Sequence, residues 1–475
     1  MKHRICYIAA LCLAVLAPGS AGAQVERYEL GRRLGAFERA WDQCDDAQAK
    51  QKALAIVQRV TLQFLTLQFN EAGRTLDEAR HALFPSKETP ADVLWAESLQ
   101  VVPATHLVDA SETQLSFGVQ EYYRGAGVAP REPLLTLRVP FAQGKAAGLH
   151  IYQLSNVPLT FNTPLEGLRE GDHIVLTQFR AVDRTLNPGT FGLSVVKDLQ
   201  PRLEKLRQAI ARFGKKTGSI DRETVREIHG IVDALARRQI KETDYPAARL
   251  LKEAEAAVEA IGDGKPYFGG DKTGQFWLRL PNAKNAINVR LLAPDAVKEH
   301  KPLPLVIALH GLGGSENMFF DAYGAGRTVQ LCKERGWILV APGNWTAQNS
   351  AADLIEEVSR LYPVDKNKVF VVGHSLGARQ AIALSQQPTQ RIAAVAALGG
   401  GGAIKPKSDL RNTPFFVGVG TADIALLGAR ALRNALNRAG VGTVDYREYA
   451  GVEHVLIVRQ ALPDVFALFD KIAGR

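Results

Sequence analysis

The chain has few cysteines. It holds 4 in 475 residues, and Cys6 and Cys12 fall in an N-terminal stretch expected to be removed. Cys44 and Cys332 then remain. Their spacing specifies no disulfide and neither sits in a metal-ligand pattern, so buried free thiols are expected. Long apolar runs are also missing: beyond the N-terminus no stretch is long enough to span a bilayer, which needs roughly 20 residues. There is no 20–50-residue repeat, which speaks against a propeller, and no low-complexity linker. Charge of one sign is never concentrated. Lys and Arg number 58 against 49 Asp and Glu, a formal +9. The two signs alternate, as in Asp221-Arg222-Glu223 and Lys252-Glu253. That is the texture of a solvated mixed surface rather than a nucleic-acid interface, and it is compatible with weak attraction to acidic substrates or envelope surfaces.

What the N-terminus does have is the layout of a secretory signal. Lys2, His3 and Arg4 are basic, Ile5 to Ala17 is apolar, Pro18-Gly19-Ser20 breaks the run, and Ala21-Gly22-Ala23 offers small residues for cleavage. The expectation is a signal peptide over residues 1–23 and a secreted or periplasmic mature protein. Leu11 precedes Cys12 where lipoprotein processing wants a small residue, so no lipid anchor is expected.

The length calls for two or three domains. Leu30, Leu34, Phe37 and Trp41 recur at helical spacing. A second helix is expected from about Gln51, with Ile56, Val60, Phe64 and Leu67 on one face. Residues 24–92 are therefore read as a helical segment. Over 93–200, period-two runs such as Leu115–Val119, Leu135–Val139 and Phe191–Val195, separated by turn residues, predict a small β-rich module. Tyr122 and Tyr123 are expected to pack in a core. Residues 201–265 read as a helical connector: Leu203, Leu206, Ile210 and Phe213 form one stripe, Asp221 is placed to cap a second helix, and Leu250 to Ile261 forms a third. From 266 to 475, an opening hairpin is followed by near-continuous apolar strands alternating with helices. This pattern predicts an α/β unit with a mostly parallel sheet covered on both faces, preceded by an α+β region.

The chemistry concentrates in that last unit. Gly373-His374-Ser375-Leu376-Gly377 lies between the strand-like Val369–Val372 and the helix-like Ala378–Ser385, the context of a nucleophile elbow. A serine hydroxyl needs a base, and the base needs an orienting carboxylate. In the expected order Ser, acid, His, Asp423 follows the strand Phe415–Val419 and His454 follows the last strand. Asp445, Glu448 and Glu453 compete with Asp423 but lie off the expected loop, and Asp353 begins a helix. A tetrahedral oxyanion needs two N–H donors. Leu376 supplies one. The loop His310-Gly311-Leu312-Gly313-Gly314, after the strand Leu305–Leu309, supplies the other, through Leu312 ahead of Gly311. That loop lacks the signatures of nucleotide binding. His310 is read as supporting the loop, and His374 as a packing or supporting residue.

With these motifs in place, residues from about 270 onward resemble the α/β-hydrolase superfamily. More narrowly they are similar to the dienelactone-hydrolase-like, feruloyl-esterase and polyhydroxybutyrate-depolymerase-like secreted esterases, with relatives among prolyl-oligopeptidase-type peptidases. Gly420-Thr421-Ala422-Asp423, Gly451-Val452-Glu453-His454 and Tyr362-Pro363-Val364-Asp365 carry the resemblance further. It covers under half the chain. It implies a serine hydrolase acting on carboxylic esters through Ser375, His454 and Asp423, with Leu312 and Leu376 at the oxyanion, and without metal or organic cofactor. Two other readings stay open: a peptidase gated by the N-terminal region, and a non-catalytic binding or scaffold protein. Only Gly399 to Asn412 separates the sixth and seventh core strands, where many esterases insert a cap. Either the site is open to a bulky or polymeric ester, or the N-terminal region covers it.

Overall fold

A computed structural model describes residues 21–85, 89–125, 127–139, 148–165, 168–181, 184–213, 219–239, 241–281, 286–346, 349–387, 392–406 and 408–474. The expected signal segment lies outside the described residues except for Ala21–Ala23, with which the first helix begins. Among the described residues, no helix is long and apolar enough to cross a membrane.

The N-terminal segment is helical: α1 (Ala21–Gln43), α2 (Ala47–Val57), α3 (Val60–Leu65), α4 (Phe69–Ala82) and α5 (Ala91–Ser98). The helix expected from Gln51 starts earlier and is broken. Asp46 caps α2 by accepting the N–H groups of Gln48 and Ala49 at 2.8 and 3.1 Å, a capping signal that the apolar stripe overshadowed. The chain then turns at Gln58–Arg59, and Leu67, expected on the buried face, is 46% exposed with φ 61°.

The β-rich module follows: β1 (Leu99–Pro103), β2 (Leu107–Asp109), β3 (Gln114–Glu121), β4 (Leu134–Val139), β5 (Gly148–Gln153), β6 (Leu159–Pro164), β7 (Gly171–Arg180) and β8 (Thr185–Val196). They form a three-stranded sheet β1-β3-β6 and a five-stranded sheet β2-β8-β7-β4-β5. Tyr122 and Tyr123 are buried as expected. Three connector helices come next, α6 (Leu199–Arg212), α7 (Ile220–Ala236) and α8 (Ala247–Gly262). Asp221 does not cap α7. It lies inside the first turn, and its carboxylate instead accepts the backbone N–H groups of Tyr267 and Phe268, at 3.0 and 3.1 Å, on the approach to the large sheet.

That sheet has eight strands: β9 (Gly274–Leu280), β10 (Ile287–Ala293), β11 (Leu303–Leu309), β12 (Ile338–Pro342), β13 (Val364–His374), β14 (Ala394–Leu398), β15 (Phe415–Gly420) and β16 (Val444–Tyr449). Their spatial order is β16-β15-β14-β13-β11-β12-β10-β9. The β9–β10 and β10–β12 pairings are antiparallel, and the other five are parallel. Helices α9 (Arg327–Arg335), α10 (Ala351–Leu361), α11 (Leu376–Ser385), α12 (Leu426–Arg438) and α13 (Ile457–Ala473) connect or follow the strands. β12, β14 and β15 are buried along their whole length, as a sheet covered on both faces requires.

The covering layers come partly from outside the unit. One buried cluster joins Leu34, Phe37 and Leu76 to Val306, Phe370 and Phe466. Another joins Leu203, Val225 and Leu250 to Trp277, Ile307 and Val371. Each buried side chain of this size contributes about 1.5–3 kcal/mol. The helical segment and the connector therefore share cores with opposite faces of the sheet rather than hanging from it, while the β-rich module keeps a core of its own.

Candidate functional site

Ser375 stands between the end of β13 and the start of α11, at φ 56° and ψ −112°. This is outside the regions open to a residue with a Cβ. Its N–H is held by the Leu398 carbonyl of the neighbouring strand at 2.9 Å. The flanking glycines are required by close approach: a Cβ on Gly377 would lie 1.9 Å from the Leu309 carbonyl oxygen, and one on Gly373 would lie 2.1 Å from that of Gly377.

The loops at the carboxyl ends of the strands bring the other expected residues together. His454 Nε2 is 2.8 Å from Ser375 Oγ, and His454 Nδ1 is 2.7 Å from Asp423 Oδ1. Asp423 Oδ1 also accepts the Ala425 N–H at 2.7 Å. Asp423 and His454 are both buried. An imidazole that donates from Nδ1 to a carboxylate presents a bare Nε2 to the hydroxyl, which is the tautomer a general base needs. The competing acids are occupied elsewhere. Asp445 lies in β16 and pairs with Arg447, while Glu448 pairs with Arg430. Asp353 sits in the first turn of α10, its N–H capped by Ser350 Oγ. Glu453 accepts from Val455 N–H, Leu456 N–H and Thr61 Oγ1.

His374 is more than packing. Its Nε2 is 2.8 Å from the His454 carbonyl oxygen and its Nδ1 is 2.8 Å from the Tyr323 hydroxyl. A carbonyl only accepts, so Nε2 carries the proton and Nδ1 accepts from Tyr323 O–H. Burial, reinforced by the neighbouring His454, holds the His374 pKa well below its ordinary value, which keeps it neutral in this role. The Tyr323 oxygen in turn accepts the Gly311 N–H at 3.3 Å. Of the two N–H groups considered in the loop after β11, that of Gly311 is therefore engaged, which favours Leu312. Leu376 N–H opens α11, where the first N–H groups have no intrahelical acceptor. The loop is braced by His310, whose ring nitrogens each lie 2.7 Å from a carbonyl oxygen, those of Gly311 and Gly343.

The serine opens into a cavity of about 1030 Å³. Its walls include Leu312, Ser375 and His454 from the sheet unit, Arg27 from α1, Leu176 from β7 and Glu242 from the segment before α8. Among the described residues, 399–412 form no helix or strand. The N-terminal region thus contributes walls to the cavity, which still opens to the outside. Cys44 and Cys332 are both free and buried. Tyr323 and Arg27 were not found from the sequence: each meets its partners only through the fold, and no local motif marks either.

No family model and no curated protein matches the chain. Solved structures do resemble it. A ferulic acid esterase is 18% identical, covering 43% of this chain and 99% of that one, with a TM-score of 0.36. An S-formylglutathione hydrolase from Staphylococcus aureus is 13% identical over 43% of this chain and 98% of that one, with a TM-score of 0.33. A thermostable esterase, 13% identical, covers 78% of this chain and 98% of that one, with a TM-score of 0.36. The fold itself rests on the strand order. The elbow follows the fifth strand of the large sheet and the glycine-rich loop the third, with acid and histidine after the seventh and eighth, which is the layout of an α/β-hydrolase fold.

Proposed function

We propose that this protein is an exported serine hydrolase that cleaves carboxylic esters through an acyl-enzyme. The observation that carries the reading is the relay of Ser375, His454 and Asp423 at 2.8 and 2.7 Å on a strained strand-to-helix turn. Ser375 Oγ attacks the ester carbonyl as its proton passes to His454 Nε2. The carbonyl oxygen becomes an oxyanion that accepts hydrogen bonds from Leu312 and Leu376 N–H. Asp423 stabilises the imidazolium and fixes its tautomer. His454 then protonates the departing alcohol, leaving Ser375 acylated. Water attacks the acyl group, gives its proton to His454, and Ser375 recovers that proton as the acid leaves. The cavity matches the upper range of small-molecule sites and suits a bulky ester. Cleavage of the signal near Ala23 would deliver the mature protein to the periplasm or beyond.

The test is hydrolysis of p-nitrophenyl acetate, butyrate and octanoate beside Ser375→Ala, with fluorophosphonate labelling of Ser375 in parallel. Ester turnover lost in the folded variant supports the reading, and the chain-length profile reports on the acyl pocket. Labelling with turnover only of peptide amides would replace it with a peptidase. Neither labelling nor turnover would leave a binding protein.

A further inference from the structure

Among the described residues, hydrogen bonds tie the N-terminal helices to the candidate site from Arg27, Glu38 and Thr61, each more than 280 residues away in sequence. Arg27 Nη2 on α1 donates to the Gly313 carbonyl at 3.0 Å. Glu38, about three turns further along α1, accepts the N–H groups of Gly324 and Ala325 at 3.0 and 2.5 Å, directly after Tyr323. Thr61 on α3 donates to Glu453, the residue before His454, at 2.5 Å. The first contact bears most directly on chemistry. Gly311 to Gly314 is a turn closed by Gly314 N–H on the Gly311 carbonyl at 3.1 Å, with Gly313 left-handed at φ 76°. Its second residue is Leu312. Tyr323 holds the first residue of that turn and Arg27 holds the third, so the donor between them is gripped from both sides.

Arg27 is itself fixed. Its guanidinium lies 5.8 Å from the centre of the Phe64 ring and 5.7 Å from that of Phe69, and cation–π contact favours that placement. Burial lowers its pKa, an effect that Glu242 opposes. Among the described residues no carboxylate forms an ion pair with it. An arginine delivered to a peptide carbonyl and seated against two adjacent aromatic rings, whose centres are 5.7 Å apart, is preorganised to orient that peptide.

We propose that Arg27 is a positioning residue for the oxyanion donor, so that the helical segment completes the hydrolytic site instead of merely accompanying it. This rests on the serine-hydrolase reading above. Arg27 acts through Gly313 on the direction of Leu312 N–H and so matters most when negative charge develops. Loss of one donor costs about 100- to 1000-fold in such sites. Displacing a donor rather than deleting it should cost less, about 10- to 100-fold.

The experiment measures kcat and KM on p-nitrophenyl butyrate for the full chain, Arg27→Ala and Arg27→Lys, with thermal unfolding of each. It adds inhibition by a trifluoromethyl ketone, which mimics the tetrahedral adduct, and rescue by ethylguanidinium. The expected result is a 10- to 100-fold fall in kcat for Arg27→Ala with KM within about threefold, because the interaction serves the transition state. Ketone affinity should fall in parallel. Arg27→Lys should recover part of the rate, and ethylguanidinium should raise the rate of Arg27→Ala but not of the parent. A folded Arg27→Ala with parental kcat and ketone affinity overturns the proposal, as does a loss that appears only in KM. If Arg27→Ala does not fold, Arg27→Lys decides by the same kcat and ketone criteria. A parent that neither turns over esters nor labels at Ser375 overturns the hydrolase reading, and this proposal with it.

Discussion

Which carboxylate orients His454 can be decided by two isosteric substitutions, because the structure gives the two candidates opposite geometries. Asp423 Oδ1 receives both the His454 Nδ1–H and the Ala425 N–H, while its Oδ2 is buried without a hydrogen-bond partner among the described residues. In Asp423→Asn the amide has two orientations, and both fail. With oxygen towards His454 the tautomer survives but the charge that stabilises the imidazolium is gone, and the new NH₂ is buried against Gly399, whose own Cβ, if it had one, would be 2.9 Å from Oδ2. With nitrogen towards His454, the ring must accept at Nδ1. Its proton moves to Nε2, where it donates to Ser375 instead of accepting. Loss of this kind lowers turnover by about 10⁴-fold in a well-studied triad, equivalent to about 5 kcal/mol of barrier. We expect a fall of at least about 10³-fold in kcat/KM here, with the fold intact by circular dichroism. Glu453→Gln should behave differently. One oxygen can still accept from Val455 and Leu456, and the amide can donate to Thr61 Oγ1, so kcat/KM should stay within about tenfold of the parent. The assay is ester turnover with fluorophosphonate labelling rates. Near-parental activity of Asp423→Asn, or the reverse ranking of the two variants, would refute the relay described for the site.

Other consequences follow from strain, burial and the hydrogen-bond chain behind the site. Ser375→Gly and Ser375→Ala both lose the bond to His454, but only glycine tolerates φ 56°. The glycine variant should therefore be more stable by about 1 kcal/mol after its larger unfolded-state entropy is counted, and equal urea midpoints would argue against strain at the elbow. Tyr323→Phe removes the group between Gly311 N–H and His374 Nδ1. It should cost about 1–3 kcal/mol of stability and lower kcat more than it changes KM; parental values of both would show the bridge to be idle. Burial, together with Glu242 and Glu227, raises the Glu316 pKa from 4.5 to about 7. Its folded value lies above its unfolded one, so its contribution is complete below about pH 4.5 and is lost as pH rises through 7. Glu316→Gln should then match the parent near pH 4 and exceed it at pH 8 by on the order of 2 kcal/mol. A pH-independent difference in urea midpoints would contradict this assignment.

The parts of the site that were legible in the sequence share a physical property: Ser375, Asp423 and His454 lie one, three and five residues beyond the ends of β13, β15 and β16, strands of one sheet. Apolar strands announce themselves, and a parallel sheet places their carboxyl ends along one edge, so Ser375, Asp423 and His454 needed only strand order to meet. The glycine-rich loop was legible for the same reason, and Leu312 was preferred there over Gly311; the Tyr323 hydroxyl on the Gly311 N–H, which favours that preference, is seen only in the fold. What escaped was every group whose role depends on contacts between distant segments. Asp221 has the position of a helix cap, and its carboxylate was drawn instead to two backbone N–H groups almost fifty residues on. Leu67 continued a helical stripe on paper, but the chain had already turned at Gln58–Arg59 and carried it to the surface. Arg27 is one arginine among many until α1 lies against Gly313. Periodicity encodes which face of an element is buried and says nothing of what lies across the interface. The N-terminal segment, which the sequence offered only as one of two arrangements around the site, therefore needed the fold to become a wall of the cavity that Ser375 faces.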